Sequence, residues 1–341
     1  MDSVDLQVLK STVEWLKAGR GVVLATVVQT WGSSPRPAGA MLALRDDGQV
    51  SGSVSGGCVE DDLIERIRSH HLAQDKPEIV LYGVTKEQAA RFGLPCGGTL
   101  QIVLERLRDP ASMSALLGRI ANRELIARTV DLETGQVTLT PASRSDVLEF
   151  DGRKLTTVHG PRWRVLIIGA GQLSRYLAQM ALALDYTVVV CDPREEYADT
   201  WDVPGVEFTR GMPDDVVAGL DLDSHSAVVA VTHDPKLDDL ALIEALKSAA
   251  FYVGALGSRL NTAKRKQRLV EFELSEGELG RLHGPVGLRI GSKTPPEIAV
   301  AILAEMTAIR HGVDLASVGS KESKAVPQEQ DGPVCVSATR A

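Results

Sequence analysis

A short apolar run that ends in a glycine turn constrains the fold of this chain more than any other segment. Arg164-Val-Leu-Ile-Ile168 has the length of a buried strand, and Gly169-Ala-Gly171-Gln-Leu-Ser174 follows it directly. The pattern then continues with a predicted helix over Arg175–Leu184 and predicted strands over Thr187–Cys191, Ala227–Val231 and Tyr252–Ala255. Alternating buried strands and helices predict a parallel, doubly wound sheet of the Rossmann type.

The glycine turn has the sequence context of a dinucleotide site. Gly169 permits a tight turn, and Gly171 lets a phosphate approach the backbone at the start of a helix. Asp192 comes 21 residues after Gly171, at the end of the next strand, where a carboxylate binds a ribose hydroxyl. The same turn also serves as plain architecture, so bound NAD(P) or another nucleotide stays one of two interpretations.

Two further residues stand at strand ends, where ligands bind in such sheets. His233 follows the strand Ala227–Val231, and its alternative role is to cap the next helix. Arg259 follows Tyr252–Ala255 at a helix start and suits a phosphate. The basic residues after it, from Lys264 to Arg268, are interpreted as a solvated helix face.

The first half of the chain has a different pattern. Its predicted elements are a helix over Val4–Ala18, strands over Val22–Gln29, Gly39–Leu44 and Gln49–Val54, a helix over Cys58–Leu72, strands over Glu78–Val84 and Thr99–Leu107, and then a hairpin-rich piece. We predict an N-terminal α+β domain over residues 1–157 and a Rossmann-like domain over residues 158–312. Residues 313–341 lack periodicity and are predicted to be a disordered tail.

Two cysteines adjoin glycine pairs in that first half, as Gly56-Gly57-Cys58 and Cys96-Gly97-Gly98. Cys58 starts an amphipathic helix, and a helix N-terminus stabilises a thiolate or another anion. The ligands that would complete a structural zinc site are missing, whereas thiolates suit a soft metal or sulfur chemistry. A buried small side chain is the alternative for each cysteine. Arg36 supplies hydrogen-bond donors nearby in sequence.

Charge and composition narrow the class of protein. The net charge is −8 and aromatic residues make up 4%, which argues against a general nucleic-acid or anionic-membrane partner. No apolar run approaches about 18 residues, so no membrane span is expected. The four cysteines are too scattered for a disulfide framework, which favours a reducing cytoplasm. The histidines other than His233 are not spaced as metal ligands, and most of them are predicted to lie at the surface.

The chain resembles the XdhC/CoxI family, accessory proteins of molybdenum hydroxylases such as xanthine dehydrogenase. The resemblance rests on motifs in the family's order: Gly32-Ser-Ser-Pro-Arg36-Pro-Ala-Gly-Ala-Met, Ser55-Gly-Gly-Cys58-Val-Glu-Asp, Cys96-Gly-Gly, Gly169-Ala-Gly, Asp192-Pro-Arg, Thr232-His-Asp-Pro-Lys-Leu-Asp, Tyr252-Val-Gly-Ala-Leu-Gly-Ser-Arg and Pro285-Val-Gly-Leu-Arg-Ile-Gly-Ser-Lys-Thr-Pro. Gln172 stands where the family often has histidine.

The resemblance implies a maturation factor that is not itself catalytic. It would bind the molybdenum cofactor (molybdopterin), present it to a cysteine desulfurase and deliver it to an apo-hydroxylase, and a homodimer is the default assembly. The expected metal contacts are Cys58 and Cys96, which would face one cavity. The expected cofactor-binding residues are these two with Arg36, Gly56, Gly57, Gly97, Gly98, Gly169, Gly171, Gln172, Asp192, His233 and Arg259. The alternatives are an NAD(P)-dependent oxidoreductase and a dinucleotide-sensing binding module.

Overall fold

The computed structural model of the chain describes residues 1, 3–31, 36–69, 76–83, 99–143 and 146–315. Cys96, Gly97 and Gly98, the side chain of Cys58 and residues 316–341 of the predicted tail lie outside this part of the chain. Within the described residues, none of the helices is long and apolar enough to cross a membrane.

The first half forms a five-stranded antiparallel sheet with the strand order β3-β2-β1-β5-β4. Its elements are α1 (Ser3–Lys17), β1 (Val22–Trp31), β2 (Met41–Arg45), β3 (Val50–Gly52), α2 (Cys58–Arg68), β4 (Glu78–Tyr82) and β5 (Thr99–Leu107), followed by α3 (Ala111–Ala121). The predicted strand Thr99–Leu107 and the predicted helix start at Cys58 are confirmed to the residue. Helix α3 has no counterpart among the predicted elements.

Both faces of this sheet are covered, which explains the unbroken apolar run in β1. Val23 and Val27 pack with Val59 and Leu63 of α2 on one face. On the other face, Leu24 packs with residues of α1 and α3. Because side chains alternate across a strand, both sets of neighbours must be apolar. The first turns of α2 therefore pack against one face of the sheet.

A smaller antiparallel sheet follows, with the order β7-β6-β9-β8. Its strands are β6 (Ile126–Asp131), β7 (Val137–Pro141), β8 (Glu149–Phe150) and β9 (Lys154–His159). Arg128 of β6 forms a buried, bidentate ion pair with Glu105 of β5, with N–O distances of 2.9 and 2.7 Å. The predicted domain limit between residues 157 and 158 falls inside β9, and the domain limits stay predictions.

The second half forms the predicted parallel sheet, with the order β12-β11-β10-β13-β14-β15. Its elements are β10 (Arg164–Ile168), α4 (Gln172–Ala183), β11 (Thr187–Cys191), α5 (Glu195–Ala198), β12 (Glu207–Thr209), α6 (Pro213–Gly219), β13 (Ser226–Ala230), α7 (Pro235–Lys247), β14 (Tyr252–Ala255), α8 (Arg259–Val270), α9 (Glu276–Gly280), β15 (Leu282–His283) and α10 (Pro295–Arg310). This is the Rossmann strand order, so the predicted fold class is confirmed.

Alternate residues of β10 serve two separate cores. Val165 and Ile167 face a cluster that includes residues of α4 and α10. Leu166 and Ile168 face the opposite cluster, which includes residues of α7 and α8. From β10 the chain continues to β11 and β12 on one side, and it then crosses to β13 on the other side of β10. This reversal of strand order leaves a crevice beyond Ile168, at the switch point where ligands bind in such sheets.

Candidate functional site

The glycine turn after β10 uses its two glycines for different reasons. Gly169 has a φ of +106°, and a Cβ there would lie 3.0 Å from the Cα of Thr232. A side chain is therefore excluded both by backbone conformation and by the neighbouring strand end. Gly171 has an ordinary φ of −76°, and a Cβ there would meet nothing within 4 Å. The space in front of Gly171, at the start of α4, is open to a ligand.

The carboxylate of Asp192 is fully buried behind this turn. Oδ2 accepts hydrogen bonds from the Ala170 N–H and from Nη2 of Arg194, both at 2.8 Å. Oδ1 accepts from the N–H and Nε of Arg194, at 3.1 and 2.9 Å. Burial alone would raise the pKa of Asp192, but the hydrogen bonds from Arg194 and Ala170 outweigh it and lower that pKa. Asp192 therefore positions the glycine turn, through Ala170, and the side chain of Arg194. The contact of Asp192 with a ribose hydroxyl stays a prediction.

A cleft of about 620 Å³ opens at the carboxyl edge of the parallel sheet. Three of the predicted residues line it: Gly171, Gln172 and His233. Arg194, Tyr197 and Asn261, which were not predicted as site residues, also line it. Of the described residues that line the cleft, none is Asp or Glu. The lining of the cleft is therefore compatible with an uncharged or an anionic ligand.

His233 occupies a constrained position at the mouth of this cleft. Its φ is +65°, the left-handed region that non-glycine residues rarely adopt. The strand-end loop is held on both sides of it, since the Thr232 hydroxyl donates to Asp238 at 2.7 Å and the Asp234 N–H donates back to that hydroxyl at 2.9 Å. Asp234, not His233, caps α7 by accepting from the Lys236 N–H. The alternative interpretation of His233 as the capping residue is therefore wrong.

The basic segment of α8 is not the uniformly solvated face that its sequence predicts. Arg265 is buried, and its Nη2 lies 2.9 Å from Asp238 while its Nε lies 3.0 Å from Asp239. Its Nη1 donates to the Leu256 carbonyl at the end of β14. This network joins the loop of His233 to Leu256, another residue that lines the cleft. Arg259 is exposed as the first residue of α8, and the cleft lining includes its neighbour Ser258 but not Arg259.

The loop before α2 is organised by an acidic side chain from the helix itself. Oε1 of Glu60 accepts hydrogen bonds from the N–H groups of Val54, Ser55 and Gly56 at 2.9, 2.9 and 3.1 Å. Oε2 accepts from the Gly57 N–H at 2.9 Å. Burial would raise the pKa of Glu60, but these bonds and those from two serine hydroxyls lower it to about 2. The amides of Gly56 and Gly57 therefore bind a carboxylate of the chain, not a guest.

A second cavity, of about 410 Å³, lies where the three sheets meet. We call it the junction cavity; its lining includes Arg36, Ser53, His159, Trp163, His225 and Arg310. Both histidines are buried, at 4% and 5% exposure, and so depart from the surface positions predicted for most histidines. Burial, with the charges of Arg128 and the N-terminus, lowers the pKa of His159 to about 3, so it is neutral.

The predicted site residues therefore fall into two regions. Gly171, Gln172 and His233 line the Rossmann cleft, with Gly169 and Asp192 beneath it, whereas Arg36 lines the junction cavity. Gly56 and Gly57 precede α2, linked to the junction cavity by Ser53, whose hydroxyl donates to Glu60. Within the described part of the chain, no three His, Cys, Asp or Glu side chains could hold a metal ion together. The proposed metal contacts Cys58 and Cys96 stay predictions.

Comparison with known proteins identifies both halves of the chain. Residues 15–83 match the family model described as the XdhC and CoxI family. Residues 165–306 match the model described as the XdhC Rossmann domain. The two matched segments cover the start of the antiparallel sheet with α2 and most of the parallel sheet with its cleft.

Two curated relatives match along most of their length. The molybdenum cofactor insertion chaperone PaoD of Escherichia coli is 27% identical over 312 residues, which are 89% of this chain and 88% of that protein. A protein of Bacillus subtilis described as a probable xanthine dehydrogenase subunit is 27% identical over 320 residues, 85% of this chain and 94% of that protein.

One solved structure has the same overall fold. It is a crystal structure described as a xanthine dehydrogenase from Bacillus halodurans, with a TM-score of 0.69 and 24% identity. The match covers 93% of this chain and 98% of that one. At 24% identity, this similarity shows a shared fold and nothing more.

Proposed function

We infer a function from the fact that this chain belongs to the XdhC and CoxI family. We propose that the chain is a maturation factor, which binds the molybdenum cofactor and supports its insertion into a molybdenum hydroxylase such as a xanthine dehydrogenase. The observation that carries the proposal is the similarity to the E. coli insertion chaperone, which spans 89% of this chain and so includes both site regions.

The Rossmann cleft is compatible with the phosphate-bearing end of such a cofactor. The turn at Gly171 is open, and α4 begins at the cleft with no side-chain cap on its first backbone N–H groups. Arg194 lines the cleft and no acidic residue does so among the described residues. When bound, the cofactor would supply the molybdenum and dithiolene sulfur that the client enzyme needs. The chain's own residues would bind it, orient it and keep it from water and oxidants.

The finer parts of the proposal concern the metal end and the partners. Cys58 starts α2, and together with Cys96 it is proposed to contact the molybdenum end or to carry sulfur. A cysteine desulfurase is proposed to act on the cofactor while this chain holds it. The proposed setting is the cytoplasm and the proposed assembly is a homodimer.

The experiment measures cofactor retention and client activation separately. The full chain is purified without oxygen from cells that make the cofactor, and released pterin is quantified by fluorescence after oxidation. The same preparation is then mixed with an apo-hydroxylase whose activity is followed. Retained pterin and a gain in client activity are expected, and a chain that does neither would contradict the proposal.

Cysteine variants test the metal end with a matched control. Cys58→Ser and Cys96→Ser are expected to lower retained pterin or client activation several-fold. Cys191→Ser is the control, because Cys191 is buried in β11, where burial raises its pKa to about 12, and a hydroxyl can keep its contact with the Gly211 carbonyl. Equal pterin retention and client activation in the control and in a variant that carries both Cys58→Ser and Cys96→Ser would contradict the proposed role of the two thiols.

A dinucleotide-binding module, with or without nicotinamide chemistry, is the second candidate. The Rossmann strand order and the cleft at its switch point favour it. Tight nucleotide binding with no pterin in the purified chain and no effect on a hydroxylase would support a sensing module. Nicotinamide-linked turnover of a substrate would support an NAD(P)-dependent oxidoreductase instead.

A further inference from the structure

The end of β11 is the place where a Rossmann sheet distinguishes the ribose groups of a nucleotide. A carboxylate at this position accepts a hydrogen bond from the ribose 2′-hydroxyl, whereas an arginine nearby accommodates a phosphate there. In this chain both residue types are present, as Asp192 and Arg194. Their geometry determines which of the two a ligand would meet.

Asp192 has no acceptor position left for a ligand. A carboxylate offers about four lone-pair positions, and this one receives four hydrogen bonds of 2.8 to 3.1 Å, one from Ala170 and three from Arg194. It is also fully buried. A ribose hydroxyl would have to break one of these charge-assisted bonds to reach it.

Arg194 is the group that faces the cleft. Its side chain is 24% exposed, and its guanidinium carbon lies 4.0 Å from the centre of the Tyr197 ring. Nε and Nη2 are held by Asp192, while Nη1 has no hydrogen-bond partner among the described residues. Asp192 and Tyr197 thus fix the orientation of the guanidinium, and the N–H groups of Nη1 are available to donate hydrogen bonds to a ligand.

The residues that line the cleft are compatible with an anionic group. Arg194 is the one Lys or Arg among the described residues that line the cleft, and no carboxylate lines it. The exposed Glu195 and Glu196 follow Arg194 in the chain but are not part of the lining. A planar, oriented guanidinium recognises the oxygens of a phosphate better than a flexible ammonium does.

We propose that Arg194, oriented by Asp192 and Tyr197, is a specificity-determining residue that makes the Rossmann cleft select ligands carrying a terminal phosphate monoester over otherwise identical ligands with a hydroxyl there. The inference rests on the proposed function, since it concerns the cleft assigned there to a phosphate-bearing ligand. The phosphate has two chemical sources: the ribose 2′-phosphate of a dinucleotide, or the phosphate of a pterin. Both present the same group to Arg194.

The test compares two pairs of ligands that differ by one phosphate. NADP⁺ is compared with NAD⁺, and neopterin monophosphate with neopterin, by calorimetric titration of the full chain. In at least one pair the phosphorylated ligand is expected to bind about 10- to 100-fold more tightly, the range of one or two charge-assisted hydrogen bonds. The pair that shows the preference identifies the source.

Three variants decide whether Arg194 is responsible. Arg194→Gln is expected to abolish the preference, and Arg194→Lys, which keeps the charge but loses the planar fork, to reduce it. Arg210→Gln is the control, because Arg210 is exposed, pairs with Asp199 at 2.7 Å and is not among the residues lining the cleft. The control should keep the full preference.

Two results would overturn the inference: no preference in either ligand pair, or a preference that persists in Arg194→Gln. If Arg194→Gln does not fold, as judged by its thermal unfolding, an unchanged preference in Arg194→Lys overturns it instead. The proposed function fails by a different result, namely no retained pterin and no client activation by the unmodified chain. A chain that selects phosphorylated ligands but retains no pterin would leave this inference standing.

Discussion

The carboxylate of Glu60 accepts a 2.7 Å hydrogen bond from the hydroxyl of Ser53, a residue that lines the junction cavity. The same carboxylate binds the amides of the loop between them, so the first turn of α2 is tied to the cavity wall by its own acidic side chain. Gly56 and Gly57 have φ values of +91° and +148°, which this loop requires. The glycines before Cys58 therefore serve a loop conformation that Glu60 stabilises.

Glu60→Gln is expected to lower the free energy of unfolding by about 2 kcal/mol near neutral pH, because an amide cannot accept all these bonds. The folded-state pKa of about 2 lies below the ordinary 4.5, so the contribution is complete above about pH 4.5 and is lost as pH falls through 2. Urea unfolding between pH 7 and 3 should therefore show the difference from the unmodified chain narrowing with acid. Glu65→Gln, at an exposed position of the same helix, should show no such narrowing.

The two glycines of the Rossmann turn should respond differently to alanine. Gly169→Ala forces a side chain onto a φ of +106° and within 3.0 Å of Thr232, so a loss of about 2 to 3 kcal/mol in unfolding free energy is expected. Gly171→Ala should fold with unchanged stability, since its Cβ enters open space, but should weaken phosphate binding. Denaturant unfolding and ligand titration on both variants would check this. Equal stability losses would contradict it.

Arg265→Ala should be severely destabilising, although the residue lies in a segment rich in lysine and arginine. Removing it leaves Asp238 buried without its cation, and burial already raises the pKa of that carboxyl with Arg265 in place. A loss of about 3 to 5 kcal/mol in the free energy of unfolding is expected. Lys264→Ala, one residue away and exposed, should change it by less than about 0.5 kcal/mol. Similar effects of the two variants would show that the ion pair contributes little.

The buried ion pair Glu105–Arg128 should contribute more to stability than an exposed ion pair of the same kind. Glu105→Gln removes the negative charge from a pair whose side chains are 4% and 3% exposed, and a loss of about 3 kcal/mol is expected. Glu124→Gln removes the partner of Arg119 in an ion pair that is 41% and 29% exposed, and should cost no more than about 1 kcal/mol. Thermal and urea unfolding of the two variants, compared in the same buffer, measure the difference.

Local sequence patterns were sufficient to predict the helices and strands that have a clear periodic or apolar pattern. The strands Arg164–Ile168, Thr187–Cys191 and Tyr252–Ala255 lie where the sequence predicts them. The helix after the glycine turn begins at Gln172, three residues earlier than predicted, because Gly171 already acts as its N-cap. The short β12 and β15 were missed, since strands of three and two residues carry no readable period.

The sequence by itself determined the Rossmann-type sheet and the position of its glycine turn, because each depends on neighbours in the chain. Only the tertiary structure decided which charges face the cleft. Arg265 is turned inward by Asp238 of another helix, and Asp192 is buried behind the glycine turn, where it binds the Ala170 N–H as well as its near neighbour Arg194, which lines the cleft. Burial and pairing across long sequence separations set the availability of a charged group, and no local pattern encodes them.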